Sequence, residues 1–332
     1  MAIEFFTGFE GCAYTSDLYA LMDSISSSRV ILSSGDGFDG GKCFQASYDI
    51  YGGEQWIGKN CISAKTKAIG AHFGSVGTST ASNKYLMQFR GPNVRLNNTS
   101  SGINVYVNGS LLTTVGSKIP TTWTHIEAKL FSDSSVGTLE IKVNGEIICE
   151  LTNVNTGGQD ITSCRWCTSG SYNGKVDNCY LADDFYGEVY SYLLKPSSDS
   201  VVDFTPSSGT DNYALLQSDD GDSSYVYSDV ENHQDLYEFE DLPSDLIPLA
   251  LSIVITARKE GSTMRTIQMR SKQDSTEYDE GSEIILGTSY PASVGAGFQS
   301  ARVTAPDGSF LTREIVNSLK WGFKILEEEV SS

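Results

Sequence analysis

The chain has 332 residues and a mass of 36.0 kDa, and 39% of its residues are hydrophobic, enough for one large or two ordinary domains with real cores. A formal net charge of −19 sets aside a nucleic-acid partner, because phosphate recognition needs clustered Lys and Arg. No apolar run approaches the ~20 residues that span a bilayer, and residues 1–11, with neither a basic start nor an apolar centre, read as a first strand rather than a secretion signal.

Seventeen Tyr and 32 Gly suit short strands joined by tight turns. In chain order, the Phe5-Phe6 strand precedes a short helix expected over 17–25, capped by Ser16 or Asp17. A Gly- and Asp-rich loop over 33–42 leads into a strand over 43–47, and further strands are expected near 86–89 and 103–107. Ile103, Val105 and Val107 alternate with Asn104 and Tyr106, Asn108-Gly109 supplies a type I′ turn, and Leu111-Leu112 begins the return. The same device recurs: Ile126, Ala128 and Leu130 alternate with Glu127 and Lys129, Leu139, Ile141 and Val143 with Glu140 and Lys142, and Asn144-Gly145 turns into a strand over 147–151. A closing strand falls near 177–186. Lys195-Pro196 and the Ser/Asp residues after it read as a hinge. Beyond it, strands are expected over 213–217, 224–228, 236–239, 264–269, 283–286, 310–311 and 319–326, with 247–257 as the central buried strand and 314–318 as a single helical turn.

Charge and cysteine divide the chain alike. Residues 1–188 hold 13 basic and 18 acidic side chains and residues 189–332 hold 10 and 24, with no basic residue between Lys195 and Arg258. The acidic excess reads as a solvated surface or as a face for cations or a basic partner. All seven cysteines precede residue 180. The expected organisation is a β-sandwich over 1–190, a linker over 191–198 and a smaller β-rich assembly domain over 199–332.

His72, His125 and His233 are far apart in sequence and share no motif, so no triad or zinc-protease site is expected, and His125 lies on the polar parity of its strand, where a surface role is the default. Cys164-Arg-Trp-Cys167, with Cys149 and Cys179, lacks the second close pair of a structural zinc site and the βαβ context of a redox motif. Buried thiols and disulfides both remain open, and with an odd total at least one cysteine is free or bonds to another chain. Cys164 and Cys167, beside Ser- and Gly-rich loops, are expected to be exposed. Glu277, Asp279 and Glu283 mimic the spaced carboxylates of some glycan hydrolases, but their polar flanks read as a loop in the wrong domain. Asp36 and Asp39, and Asp219, Asp220 and Asp222, offer oxygen ligands for Ca²⁺ without EF-hand spacing, so solvated turns are the stronger reading and no cofactor is expected. Trp56, Trp123, Trp166 and Trp321 suit sugar stacking or core packing.

The opening Phe5-Phe6 strand, Trp123-Thr-His125 ahead of the Val143-Asn-Gly145 hairpin, and the closing run through Asp183-Asp184-Phe185-Tyr186 together resemble a laminin-G/concanavalin-A-like lectin domain, in the version found in tailed-bacteriophage structural proteins. Phe204, Tyr225 to Ser228, Asp235 to Phe239 and Trp321-Gly322-Phe323 are similar to the second β-domain of that group. The resemblance implies an all-β fold, a concanavalin-A-like jelly-roll sandwich followed by a smaller β-domain. It implies a non-enzymatic virion component (collar, tail fibre, baseplate or capsid surface), assembled in the bacterial host cytoplasm as a homo-oligomer among other virion proteins. A module recognising host surface glycans is the alternative, and a glycan hydrolase a weaker one. For such a particle the cysteine content suggests covalent crosslinking after release from a reducing cytoplasm.

Overall fold

The computed structural model describes residues 3–8, 22–25, 30–38, 42–46, 55–74, 85–116, 119–120, 122–167, 174–190, 192–217, 221–251, 253, 255–289 and 304–326. It is an all-β protein divided into two compact units, Met1–Tyr192 and Leu193–Ser332. Among the described residues no helix is long and apolar enough to cross a membrane.

The first unit consists of β1 (Ile3–Thr7), β2 (Ser24–Ile25), β3 (Val30–Ser34), β4 (Lys42–Ala46), β5 (Trp56–Ala64), β6 (Thr66–Gly74), β7 (Met87–Arg90), β8 (Val94–Thr99), β9 (Gly102–Val107), β10 (Ser110–Val115), β11 (Thr124–Phe131), β12 (Gly137–Val143), β13 (Glu146–Val154), β14 (Ile161–Cys167) and β15 (Lys175–Ala182). An eight-stranded sheet runs β13-β12-β11-β6-β15-β4-β3, with β1 also on β15, and a seven-stranded sheet runs β10-β9-β8-β7-β14-β5-β2. The predicted alternation packs one side of each sheet: Ile69, Ala71, Phe73, Ile126, Ala128 and Leu130 from the first meet Phe89, Val94, Leu96, Ile103, Val105 and Trp166 from the second in one core. Trp166 ties the layers directly, its indole N–H donating to the Gly70 carbonyl at 3.1 Å. Both hairpin turns carry positive φ at their two central residues, 50° and 84° at Asn108-Gly109 and 50° and 81° at Asn144-Gly145, as a type I′ turn requires.

The outer side of the eight-stranded sheet is covered as well. After β15 the chain returns across it, so that Tyr180, Ala182 and Val189 form a second small core with Ile3, joined by Phe6 and Tyr186. Gly70 makes this possible, because a Cβ there would lie 2.1 Å from the Tyr180 ring. Tyr180 donates its hydroxyl hydrogen bond to Glu127, which also accepts from the Gly187 N–H at 2.8 Å. The helix expected over 17–25 falls mostly outside the described residues, and its end, Ser24–Ile25, is strand.

In the second unit, β16 (Pro196–Val202), β19 (Gln234–Phe239), β20 (Thr266–Gln273), β21 (Thr276–Ile285) and β22 (Lys320–Ile325) pair in the order β16-β19-β22-β20-β21, and β17 (Thr205–Pro206) pairs with β18 (Val226–Tyr227). Helix α1 (Asn212–Leu215) replaces the strand expected at 213–217, because the Asp199 carboxylate accepts from the Asn212 and Tyr213 N–H groups at 2.9 and 2.7 Å and caps a helical turn. Helix α2 (Arg313–Ser318) is the expected turn, capped by Thr312. The hinge read at Pro196 is instead an edge strand, where proline at the first position leaves no ladder donor missing. The run 247–257 is not the central strand. Pro248 interrupts it, Ile247 is 82% exposed, and Ile253, Ile255 and Ala257 lie half-buried against Phe204, Ile267, Met269, Ile284 and Ile325 without joining the sheet.

Candidate functional site

The two sheets of the first unit carry opposite chemistry. The strands of the eight-stranded sheet hold Glu4, Glu127, Glu140, Glu146, Glu150 and Asp177 beside five lysines. The seven strands of the other sheet hold no Asp or Glu at all, and their charged side chains are Lys59, Arg90, Arg95 and Arg165. The unit has four arginines in total, so three of them fall on adjacent strands of one sheet. In a chain of charge −19 this is a local inversion of sign.

Register places these groups. Gly58, Arg165, Gln88, Arg95 and Tyr106 are Cα partners in series across β5, β14, β7, β8 and β9, so all point to the outer side, opposite to Trp166 and Leu96. Arg165 lies over the Trp56 ring at 3.5 Å and donates through Nη1 to Gln88 Oε1 at 3.4 Å. Gln88 Nε2 donates to Asn93 Oδ1 at 2.9 Å, and Arg95 Nε donates to the same oxygen at 3.1 Å while its guanidinium sits 4.9 Å from the centre of the Tyr85 ring. Asn93 reaches this position from the β7–β8 turn with φ at 55°, in the left-handed region that asparagine tolerates. Gly58 gives Arg165 its path to Trp56, since a Cβ there would lie 3.2 Å from Arg165 Cγ and 2.7 Å from Ser24 Oγ.

The result is a run of two aromatic-backed guanidiniums joined by two amides. Gln88 and Tyr106 are buried and form a floor, Trp56, Asn93, Arg95 and Arg165 are half-buried, and Arg90 and Asn60 are exposed at one side. Among the described residues no carboxylate pairs with Arg90, Arg95 or Arg165, and Arg165 Nε is buried without a hydrogen-bond partner. Flat rings, planar amides and forked donors on a rigid sheet are what recognition of ring-shaped, hydroxyl-rich ligands uses.

The outer side of the eight-stranded sheet gathers a different set. His125 and His72 are Cα partners on β11 and β6, with ring centres 4.9 Å apart, so two histidines 53 positions apart in sequence meet. Phe38 stacks on His72 at 3.9 Å, its N–H donates to Asp177 Oδ2 at 2.9 Å, and His72 Nε2 pairs with Glu188 Oε1 at 2.8 Å. His125 is not at the surface as its parity suggested: it is 2% exposed and packs against His72, which Phe38 and Tyr190 flank in turn. Burial, then the nearby His72 charge, lowers its pKa to about 4 against the pull of Glu188. Burial pushes the Glu188 carboxyl up, but hydrogen bonds from His72 and Tyr190 outweigh it and hold it low. Both imidazoles are sealed from solvent, so this cluster clasps the returning segment rather than offering a proton-transfer site.

The other sequence-derived sites separate. Asp36 is exposed, bonded to Lys175 at 2.8 Å and to Ser33 at 2.6 Å, and these hold its carboxyl low, while Asp222 pairs with Arg258 at 3.0 Å. Asp39, Asp219, Asp220 and Cys12 lie outside the described residues. Among the described residues no group of three or more His, Cys, Asp or Glu side chains is placed to hold a metal. Cys61, Cys149, Cys164 and Cys179 are free thiols, and Cys43 and Cys167 are buried. The exposure expected of Cys164 and Cys167 is not found: both are strand residues, 0% and 2% exposed. Burial pushes the Cys149, Cys164 and Cys179 thiols up, and Cys164 bonds to the half-buried Cys61. The loop read at 277–283 is instead β21, and Arg270 pairs with Glu277 and Asp279 at 3.3 and 3.0 Å. His233 bonds to Ser228 at 2.8 Å in a turn.

No protein-family model and no curated protein matches the chain. Solved structures do resemble it weakly. A conserved carbohydrate esterase from the Shiga toxin-encoding bacteriophage phi24B aligns at 13% identity and a TM-score of 0.40, covering 55% of this chain and 100% of its own. A Bacillus subtilis protein of unknown function with a galectin-like fold aligns at 10% identity and 0.38, covering 55% and 96%. Domain 4 of a Geobacillus stearothermophilus extracellular arabinanase, in complex with arabinotriose, aligns at 13% and 0.37, covering 55% and 92%.

Proposed function

We propose that the protein is a non-enzymatic glycan-binding module whose seven-stranded sheet holds the saccharide on its outer face. The observation that carries this reading is the continuous run Trp56, Arg165, Gln88, Asn93, Arg95, Tyr85, in which forked and planar hydrogen-bonding groups are held rigid by one another and by aromatic rings. Glycoside hydrolysis commonly needs two carboxyl groups flanking the scissile bond. The seven strands beneath this face contain none, which favours binding without turnover. A glycan array tests the reading: wild type should retain a defined set of glycans, and Trp56→Ala and Arg165→Ala, with unchanged thermal stability, should lose it. Retention undiminished in both variants removes this face from the function.

A second reading, a structural role in a phage particle as a homo-oligomer among other virion proteins, is compatible with the first. It draws on the Asp183-Asp184-Phe185-Tyr186 closing sequence, and on a second unit that exposes Ile247, Ile285 and Phe310 at 82, 71 and 87%. A monodisperse monomer that never co-purifies with particles counts against it.

A further inference from the structure

We infer that the ligand of this face is an anionic glycan carrying carboxylates at regular intervals. The inference rests on the glycan-binding reading and adds the charge class. Three observations support it. Arg90, Arg95 and Arg165 lie on three adjacent strands with no carboxylate in the sheet, although acidic residues outnumber basic ones by 42 to 23 in the chain. Guanidiniums left without anionic partners are a standing electrostatic demand that an incoming carboxylate satisfies in bidentate fashion.

The donors are also unspent. Arg95 uses only Nε in a hydrogen bond within the described residues, leaving both Nη groups, and the buried Nε of Arg165 has no acceptor. Stacking on Trp56 and near Tyr85 fixes both planes, so little side-chain freedom is lost on binding.

Spacing then favours a polymer over a single anion. Arg165 and Arg95 are on strands two apart, with Gln88 between them, which sets their backbones about 9–10 Å apart. Two charges at that separation suit successive carboxylates of an extended acidic polysaccharide better than one phosphate. Single-stranded nucleic acid shares the repeat of charges, and the net charge of −19 opposes both polyanions alike, so the oligonucleotide enters the test as a competitor.

The test compares polygalacturonate, hyaluronate and polysialic acid with methyl-esterified polygalacturonate, dextran and galactan, and with a single-stranded oligonucleotide, by calorimetry on the full chain. At least one acidic polymer should bind tenfold or more tighter than every neutral one, and polygalacturonate, if it is the one bound, should lose that margin on esterification. Arg95→Lys with Arg165→Lys keeps the charge and removes the fork, so the acidic preference should fall at least tenfold while thermal stability and near-ultraviolet dichroism stay unchanged. Equal binding of acidic and neutral polymers overturns the anionic class and leaves the glycan reading standing. Binding to no polymer overturns both, and preference for the oligonucleotide overturns both in favour of nucleic acid. A double-lysine variant that binds as wild type reduces the face to undirected charge and refutes the site.

Discussion

Replacing Gly70 with alanine probes the contact on which the covered face of the eight-stranded sheet depends. The added methyl would lie 2.1, 2.7 and 2.9 Å from Cε1, Cζ and Cδ1 of Tyr180, a fully buried ring. The ring has nowhere to go without breaking its hydroxyl bond to Glu127, itself 1% exposed. Overpacking of this kind costs about 1–3 kcal/mol, and loss of a hydrogen bond to a charged group about 1.5–3 kcal/mol, so roughly 2.5–6 kcal/mol is expected in total. For a unit of this size that is about 2–4 °C per kcal/mol, a fall in Tm of roughly 5–24 °C. Tryptophan fluorescence follows the transition, since Trp56, Trp123 and Trp166 all belong to this unit and only Trp321 does not. The partner variant Tyr180→Leu removes the obstacle, so adding Gly70→Ala to it should cost much less than in wild type. A Gly70→Ala protein within about 0.5 kcal/mol of wild type, or a fully additive double variant, refutes this account of the face.

Three further outcomes follow from features already described. In the native protein under reducing conditions, Cys61 should react with a thiol reagent well before Cys164, Cys167 or Cys179, all buried, and non-reducing electrophoresis should show monomer; fast labelling of Cys167 or a reductant-sensitive ladder contradicts this. His125 is held neutral in the fold with a pKa near 4 instead of 6.5, so its contribution is present above pH 6.5 and is lost as pH falls from there towards 4, by up to about 3 kcal/mol; chemical denaturation across that range should show the slope in wild type and its loss in His125→Asn. Asp235, fully buried, accepts from Asn212 Nδ2, the Tyr237 hydroxyl and the Asp203 and Phe204 N–H groups at 2.6, 2.6, 2.8 and 2.9 Å, so Asp235→Ala should destabilise the second unit by about 3 kcal/mol or more; a shift in the denaturation midpoint worth less than 1 kcal/mol argues against that network.

What the sequence made legible was local. Ile126 to Glu150 announced its strands because period-2 alternation and an Asn-Gly turn need only neighbours, and Asn144-Gly145 joins β12 to β13 with Val143 opposite Glu146. The covered outer face was not legible, because Gly70 and Tyr180 are 110 positions apart and neither reports on the other. For the same reason His125 looked like a surface residue. The run 247–257 misled because apolar content reads as a buried strand whether the segment enters a sheet or merely lies against one. At 277–283 the polar residues concealed a strand whose alternate carboxylates are answered by Arg270 and Lys272 on the neighbouring strand. The arginine face was hidden most completely. Trp56, Gln88, Arg95 and Arg165 become neighbours only through the order β5-β14-β7-β8, which no local pattern encodes.

The unequal charging of the two sheets gives the sandwich a direction. Within this unit the seven-stranded sheet presents Arg90, Arg95 and Arg165 without carboxylate partners among the described residues, whereas the strands of the other sheet hold six carboxylates, so a negatively charged surface would be drawn to the first face rather than the second. Orientation of that kind acts before any contact forms, over about 8–10 Å at ordinary ionic strength. Dilute buffer should therefore sharpen the discrimination between faces and concentrated salt blunt it, so that the molecule behaves as a compass whose reading depends on the medium around it.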